Sequence, residues 1–139
     1  MNITVINNKI ESVLRCINRI KSKNVENVED FISDYDRQDV VVLNLERAIQ
    51  ICVDIAAHIL ADYPDIKSSV MSDTFYNLAE LHIIPKELAS RLAKAVGFRN
   101  LAVHEYKEID YSQVFDIVHH GVGDIIAFTE EIKKNIQVH

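Results

Sequence analysis

Residues 40–60 read VVVLNLERAIQICVDIAAHIL, and whether they are strand or helix decides the fold. The β-branched residues Val40, Val41, Val42, Ile49, Ile51, Val53 and Ile55 would suit a strand. Length decides otherwise, because an ordinary strand is about 5–6 residues long and this apolar run continues far beyond that. The stretch predicts a largely buried central helix from about Asp39 to Ala61, stopped near Pro64, whose ring cannot continue a helix.

Working outward, Ile6, Ile10, Val13, Leu14, Ile17 and Ile20 recur at spacings of three and four, one apolar helix face over residues 7–22. The acidic segment VEDFISDYDRQD (28–39) predicts a brief helix or loop. After the loop DIKSSVM (65–71), SDTFYNLAELHI (72–83) predicts a short helix. Pro85 stands where a first helical turn tolerates it and opens PKELASRLAKAVGFRNLAVHEY (85–106), with Leu88, Leu92, Ala95, Val96 and Leu101 inward. Asp110 is a candidate cap for the last helix, YSQVFDIVHHGVGDIIAFTEEIKKNI (111–136).

No strand pairs, repeats or low-complexity linkers appear, and three Gly and two Pro are too few for a turn-rich sandwich or barrel. The expectation is an all-α, compact helical bundle of four main helices plus one or two short ones, with residues 1–139 forming one domain.

The totals of 48% hydrophobic and 26% charged residues are ordinary for a soluble protein. Cys16 and Cys52 each lie inside an apolar helical pattern and are expected to be buried, unbridged thiols. The N-terminus MNITVINNKIE lacks the basic region and apolar run of a signal peptide. No apolar stretch reaches membrane-spanning length, so the expectation is a cytoplasmic protein with no membrane partner.

A net charge of −6 argues against a nucleic-acid binder, but its distribution is uneven. Residues 8–23 carry Lys9, Arg15, Arg19, Lys21 and Lys23 against Glu11, a balance of +4. Residues 84–107 carry Lys86, Arg91, Lys94, Arg99 and Lys107 against Glu87 and Glu105, a balance of +3. Residues 24–66 hold ten acids against Arg37 and Arg47, a balance of −8. A polyanion could still find a basic surface; plain solvated helix faces explain the same numbers.

The +3 segment contains GFRNLAVHEY (97–106), which crowds an arginine, an asparagine, a histidine, a glutamate and a tyrosine into one place. Gly97 inside this helical pattern costs about 1 kcal/mol relative to alanine; a kink, a close backbone approach and simple tolerance all account for it. At about 100° per residue, Arg99 and Tyr106 share a helix face, as do Asn100 and His104, whereas His104 lies about 140° from Arg99. Arg99 and His104 therefore cannot meet on one phosphate from a regular helix unless the last turn unwinds or a second chain contributes.

Arg99-Asn-Leu-Ala-Val-His104-Glu-Tyr106 resembles the Arg-X4-His-X-Tyr motif of HepT-type toxins in the HEPN superfamily. The similarity extends along the chain: LERAIQICVDIAAHIL (45–60) resembles the family's central helix, TFYNLAELHIIPKELASRLAKAVGFRN (74–100) its approach to the motif, and HEYKEIDYSQVFDIV (104–118) its exit.

The resemblance implies a homodimer acting as a metal-independent endoribonuclease, with no cofactor, and the motif lining a cleft between subunits. Its partners would be RNA and a minimal nucleotidyltransferase antitoxin, as in type VII-like toxin–antitoxin systems. In that setting Arg99 and His104 are the candidate catalytic residues. Histidine as a residue type serves as acid or base near neutral pH, and the planar guanidinium matches phosphate oxygens. Asn100 is a candidate support for His104 or the RNA backbone. Tyr106 is the candidate site of AMP transfer, which would set a phosphodiester on the helix face it shares with Arg99; the alternative is a hydroxyl that caps a helix end.

Other groups weigh less. His119 and His120, adjacent on a helix, diverge by about 100°, with Asp116 alone at ligand spacing, so they predict a partly exposed pair near the cleft and no metal site. Asp54 and His58, four apart, predict a buried hydrogen-bonded pair, with Asp54 a candidate to hold the motif helix. Phe75 and Tyr76 read as core. The rival function is a non-catalytic helical dimer that binds and positions a nucleotidyltransferase. The intact Arg99/His104 pair favours the enzyme, and the acidic total charge favours the module.

Overall fold

The computed structural model describes residues 1–138, and all regular structure among them is helical. The first helix, α1 (Ile3–Lys21), begins where the Asn2 side chain accepts a hydrogen bond from the Val5 N–H at 3.1 Å, satisfying one of the free donors of a helix start. Arg19 and Lys21 in its last turn complement the helix dipole. Ile6, Ile10, Val13, Ile17 and Ile20 form the buried stripe that the spacing predicts.

The acidic segment resolves into a short helix, α2 (Val28–Ser33), capped by Asn27. Asp34 ends α2 and at once caps α3 (Tyr35–Leu60), its side chain accepting from the Arg37 N–H at 3.0 Å. The central helix thus starts four residues before the expected Asp39. Gln38 is buried in that extra turn and satisfies its amide by donating to the Phe31 and Ile32 carbonyls at 2.9 and 2.6 Å. At 26 residues, α3 is about 39 Å long, and it packs against α1, α2 and the later helices α4 (Met71–Glu80), α5 (Lys86–His104) and α7 (Val122–Val138). Val41, Leu45, Ala48, Ile55 and Ala56 are fully enclosed.

The last segment is a rod in three parts: α6 (Tyr111–Asp116), a π turn over Ile117–Gly121, and α7. Asp110 caps it, accepting from the Ser112 N–H at 2.9 Å. At Gly121 a Cβ would stand 3.1 Å from Ile117 Cγ2, so the π turn is closed where a side chain would crowd it. Four main helices (α1, α3, α5 and the 111–138 rod) and two short ones, α2 and α4, form the bundle the sequence predicts.

The core is closed by edge-to-face aromatic pairs, Phe75 with Phe128 at 5.5 Å and Phe31 with Tyr111 at 6.2 Å between ring centres. Cys16 and Cys52 are both buried and free, and burial pushes the Cys52 thiol pKa well up. No helix among the described residues is long and apolar enough to cross a membrane.

Two core expectations are corrected. Phe75 is buried, but Tyr76 is 44% exposed, because neighbours on a helix point about 100° apart and only one can face inward. Asp54 and His58 do not pair. Asp54 accepts from Gln50 Nε2 at 2.9 Å, and His58 Nε2 accepts from the Asn2 N–H at 3.1 Å; each side chain finds a different neighbour.

Candidate active site

The helix α5 carries the motif at its C-terminal end. It runs unbroken from Lys86 to His104, with Pro85 preceding its first turn. Gly97 sits exposed within it, and a Cβ there would meet nothing within 4 Å. Neither a kink nor a close approach within the chain requires that glycine.

The helix stops at Glu105, which leaves helical geometry at φ −135°, ψ 53° while its N–H still donates to the Leu101 carbonyl at 2.8 Å. A single 3-10 turn (Tyr106–Glu108) follows. Ile109 then plugs into the core, and α6 begins at Tyr111. Tyr106 therefore does not continue the helix. The expectation that it shares a helix face with Arg99 is corrected: its hydroxyl reaches across to α3 and donates to Asp39 Oδ1 at 2.7 Å. The hydrogen bond to that carboxylate first, and Tyr111 second, push the phenol pKa well above the ordinary tyrosine range, because only the protonated phenol can donate to Asp39. Tyr106 remains 51% exposed.

Arg99 is half-buried, and its Nη1 donates to Asn100 Oδ1 at 3.1 Å. Its Nε is buried without a partner. Among the described residues no carboxylate pairs with this guanidinium, whereas Arg91 is held by Asp124 at 2.8 Å and Arg37 by Asp34 at 3.3 Å. An arginine left uncompensated and braced by a neutral amide is chemically able to receive an anion. His104, the last helical residue, is exposed. Because α5 stays regular up to it, the sequence geometry stands: five residues give about 7.5 Å of rise and about 140° of rotation between Arg99 and His104. The hydrogen bond of Asn100 goes to Arg99.

The remaining candidates lie elsewhere. His119 is exposed and packs against Phe115, with ring centres 4.4 Å apart and planes tilted by 48°. His120, with Arg91, Lys94 and Phe98, lines a groove of about 280 Å³ between α5 and the 111–138 rod. Among the described residues, no three His, Cys, Asp or Glu side chains gather as metal ligands would. Asp39 is the site residue that the sequence did not reveal: it entered as the expected start of the central helix and as one of ten acids, and no local pattern links it to a tyrosine 67 positions away.

The family model described as ribonuclease HepT-like matches residues 13–132. Shewanella oneidensis mRNA nuclease HepT is 37% identical over 129 residues, covering 93% of this chain and 96% of that protein. Aphanizomenon flos-aquae tRNA nuclease HepT is 32% identical, covering 92% and 87%. A solved structure of tri-AMPylated Shewanella oneidensis HEPN toxin in complex with MNT antitoxin matches with a TM-score of 0.87 at 37% identity, covering 96% of this chain and 99% of that one. The helical order, the Arg99–His104–Tyr106 motif at the end of α5 and these matches agree, and the chain belongs to the ribonuclease HepT-like family.

Proposed function

We propose that this chain is the toxin of a type VII-like toxin–antitoxin system: a metal-independent endoribonuclease that works as a homodimer in the cytoplasm. A minimal nucleotidyltransferase neutralises it by transferring AMP to Tyr106. Residues 1–139 act as one domain in this reading.

The observation that carries the proposal is the uncompensated guanidinium of Arg99 on the same helix end as an exposed His104. Cleavage through the ribose 2′-hydroxyl needs one group to take a proton and another to protonate the leaving 5′-oxygen. One chain offers a single motif imidazole, turned away from its own Arg99. A two-fold dimer offers two imidazoles and two guanidiniums facing one cleft. In that cleft one His104 accepts the 2′-hydroxyl proton, the other donates to the leaving oxygen, and Arg99 stabilises the charge that builds on the phosphate. Asn100 limits the freedom of Arg99 through the bond already present.

AMP on Tyr106 adds a negative phosphodiester beside the motif, where it repels the RNA backbone. Arg99→Ala and His104→Ala, each with wild-type helicity and dimer mass, are expected to lose RNA cleavage. Wild-type rates in either would end the catalytic reading and favour the non-catalytic dimer that only positions its nucleotidyltransferase.

A further inference from the structure

Among the described residues the Tyr106 hydroxyl donates its hydrogen bond to a side chain on another helix, and that side chain is a carboxylate. Asp39 Oδ1 stands 2.7 Å from the phenolic oxygen, the separation at which a base can take a proton from a nucleophile. Asp39 is exposed and makes no other hydrogen bond or ion pair among the described residues, so nothing competes for that oxygen. Tyr106 itself is exposed, with half of the residue's surface facing solvent. Asp39 on α3 and Tyr111 on α6 are the two titratable groups that bear on it, and both oppose its ionisation. Free tyrosinate is therefore scarce at neutral pH, and the proton must leave as the new bond forms.

We infer that Asp39 of the toxin is the general base for adenylylation of Tyr106, so that the substrate protein supplies part of the catalytic machinery for its own modification. This rests on Tyr106 being the modified residue. In the step, Oη of Tyr106 attacks the α-phosphorus of ATP held by the nucleotidyltransferase, and the Oη–P bond forms. The bond from the α-phosphorus to the bridging oxygen breaks and pyrophosphate leaves. The phenolic proton passes to Asp39 and then to solvent. A carboxylate suffices because the acidity of the phenol rises steeply as its oxygen bonds to phosphorus. The product has lost its O–H donor and carries a negative phosphodiester next to Asp39, so the docking contact is broken by the reaction it assists.

The test is single-turnover AMP transfer from ATP and magnesium by saturating partner nucleotidyltransferase onto the full chain, with the adduct located by mass spectrometry. Wild type and Tyr106→Phe report on the site: no adduct on wild type, or an undiminished adduct on Tyr106→Phe, would remove the reading of Tyr106 and this inference with it. Given labelling at Tyr106, Asp39→Asn and Asp39→Ala are both expected to be slower by roughly 100-fold or more, with wild-type helicity. Their rates should rise with pH while the wild-type rate stays flat near neutrality, and Asp39→Glu should recover part of the loss. A wild-type rate in Asp39→Asn, with or without a defect in Asp39→Ala, would show that an acceptor alone is enough and overturn the assignment.

Discussion

Replacing Phe31 with alanine tests how the core supports the motif. Phe31 is completely buried on α2 and meets Tyr111 of α6 edge to face at 6.2 Å; Tyr111 in turn bears on the Tyr106 hydroxyl. Deleting a buried phenylalanine costs about 3–5 kcal/mol, transfer and cavity together. A chain of 139 residues, at about 2.1 cal/mol/K per residue, has an unfolding entropy of about 0.29 kcal/mol/K, so the melting temperature should fall by roughly 10–17 °C. Phe31→Leu keeps most of the volume and should lose only about 1–1.5 kcal/mol, or about 3–5 °C. Thermal unfolding followed by far-ultraviolet circular dichroism measures both, at one fixed protein concentration because dimerisation shifts the midpoint. A fall below about 3 °C in Phe31→Ala would mean that α2 and α6 are not part of the cooperative core, and the account of how the motif turn is held would be wrong.

Gly97→Ala should stabilise the fold by about 1 kcal/mol through helix propensity, since the new Cβ meets nothing within 4 Å; a lower melting temperature, more so at higher protein concentration, would reveal a second molecule against that face. Because Asp39 raises the Tyr106 pKa, the phenol should stay protonated above the ordinary tyrosine value of about 10, keeping the docked contact through neutral and mildly alkaline pH and releasing it only as pH rises through the raised value. Ultraviolet titration of wild type against Tyr106→Phe isolates that one phenol, and Asp39→Asn should bring its ionisation to lower pH; an unchanged titration would refute the contact.

The helices that carry the bundle were legible because their apolar residues repeat with helical spacing over long stretches. Their breaks were less so. The α2–α3 junction hides in an unbroken acidic run because Asp34 serves as the end of one helix and the cap of the next. The π turn leaves no mark in the sequence except Gly121.

At the site, Arg99 and His104 stood out by residue type, and their divergence was readable from spacing. The place of Tyr106 was not, since no glycine or proline marks the end of α5. The chain turns there into a 3-10 segment whose tyrosine is held by Asp39, a tertiary partner no local pattern reveals. Asp54 and His58 show the converse failure, in which ideal spacing suggested a pair and other neighbours took both side chains.

The most direct measurement is the chemistry of the RNA ends left by the unmodified protein in excess EDTA. Attack by the 2′-hydroxyl with His104 as proton carrier predicts 5′-hydroxyl and 2′,3′-cyclic phosphate termini, formed without divalent metal and lost in His104→Ala. Cleavage that stops in EDTA, or that leaves 5′-phosphate ends, would contradict the account.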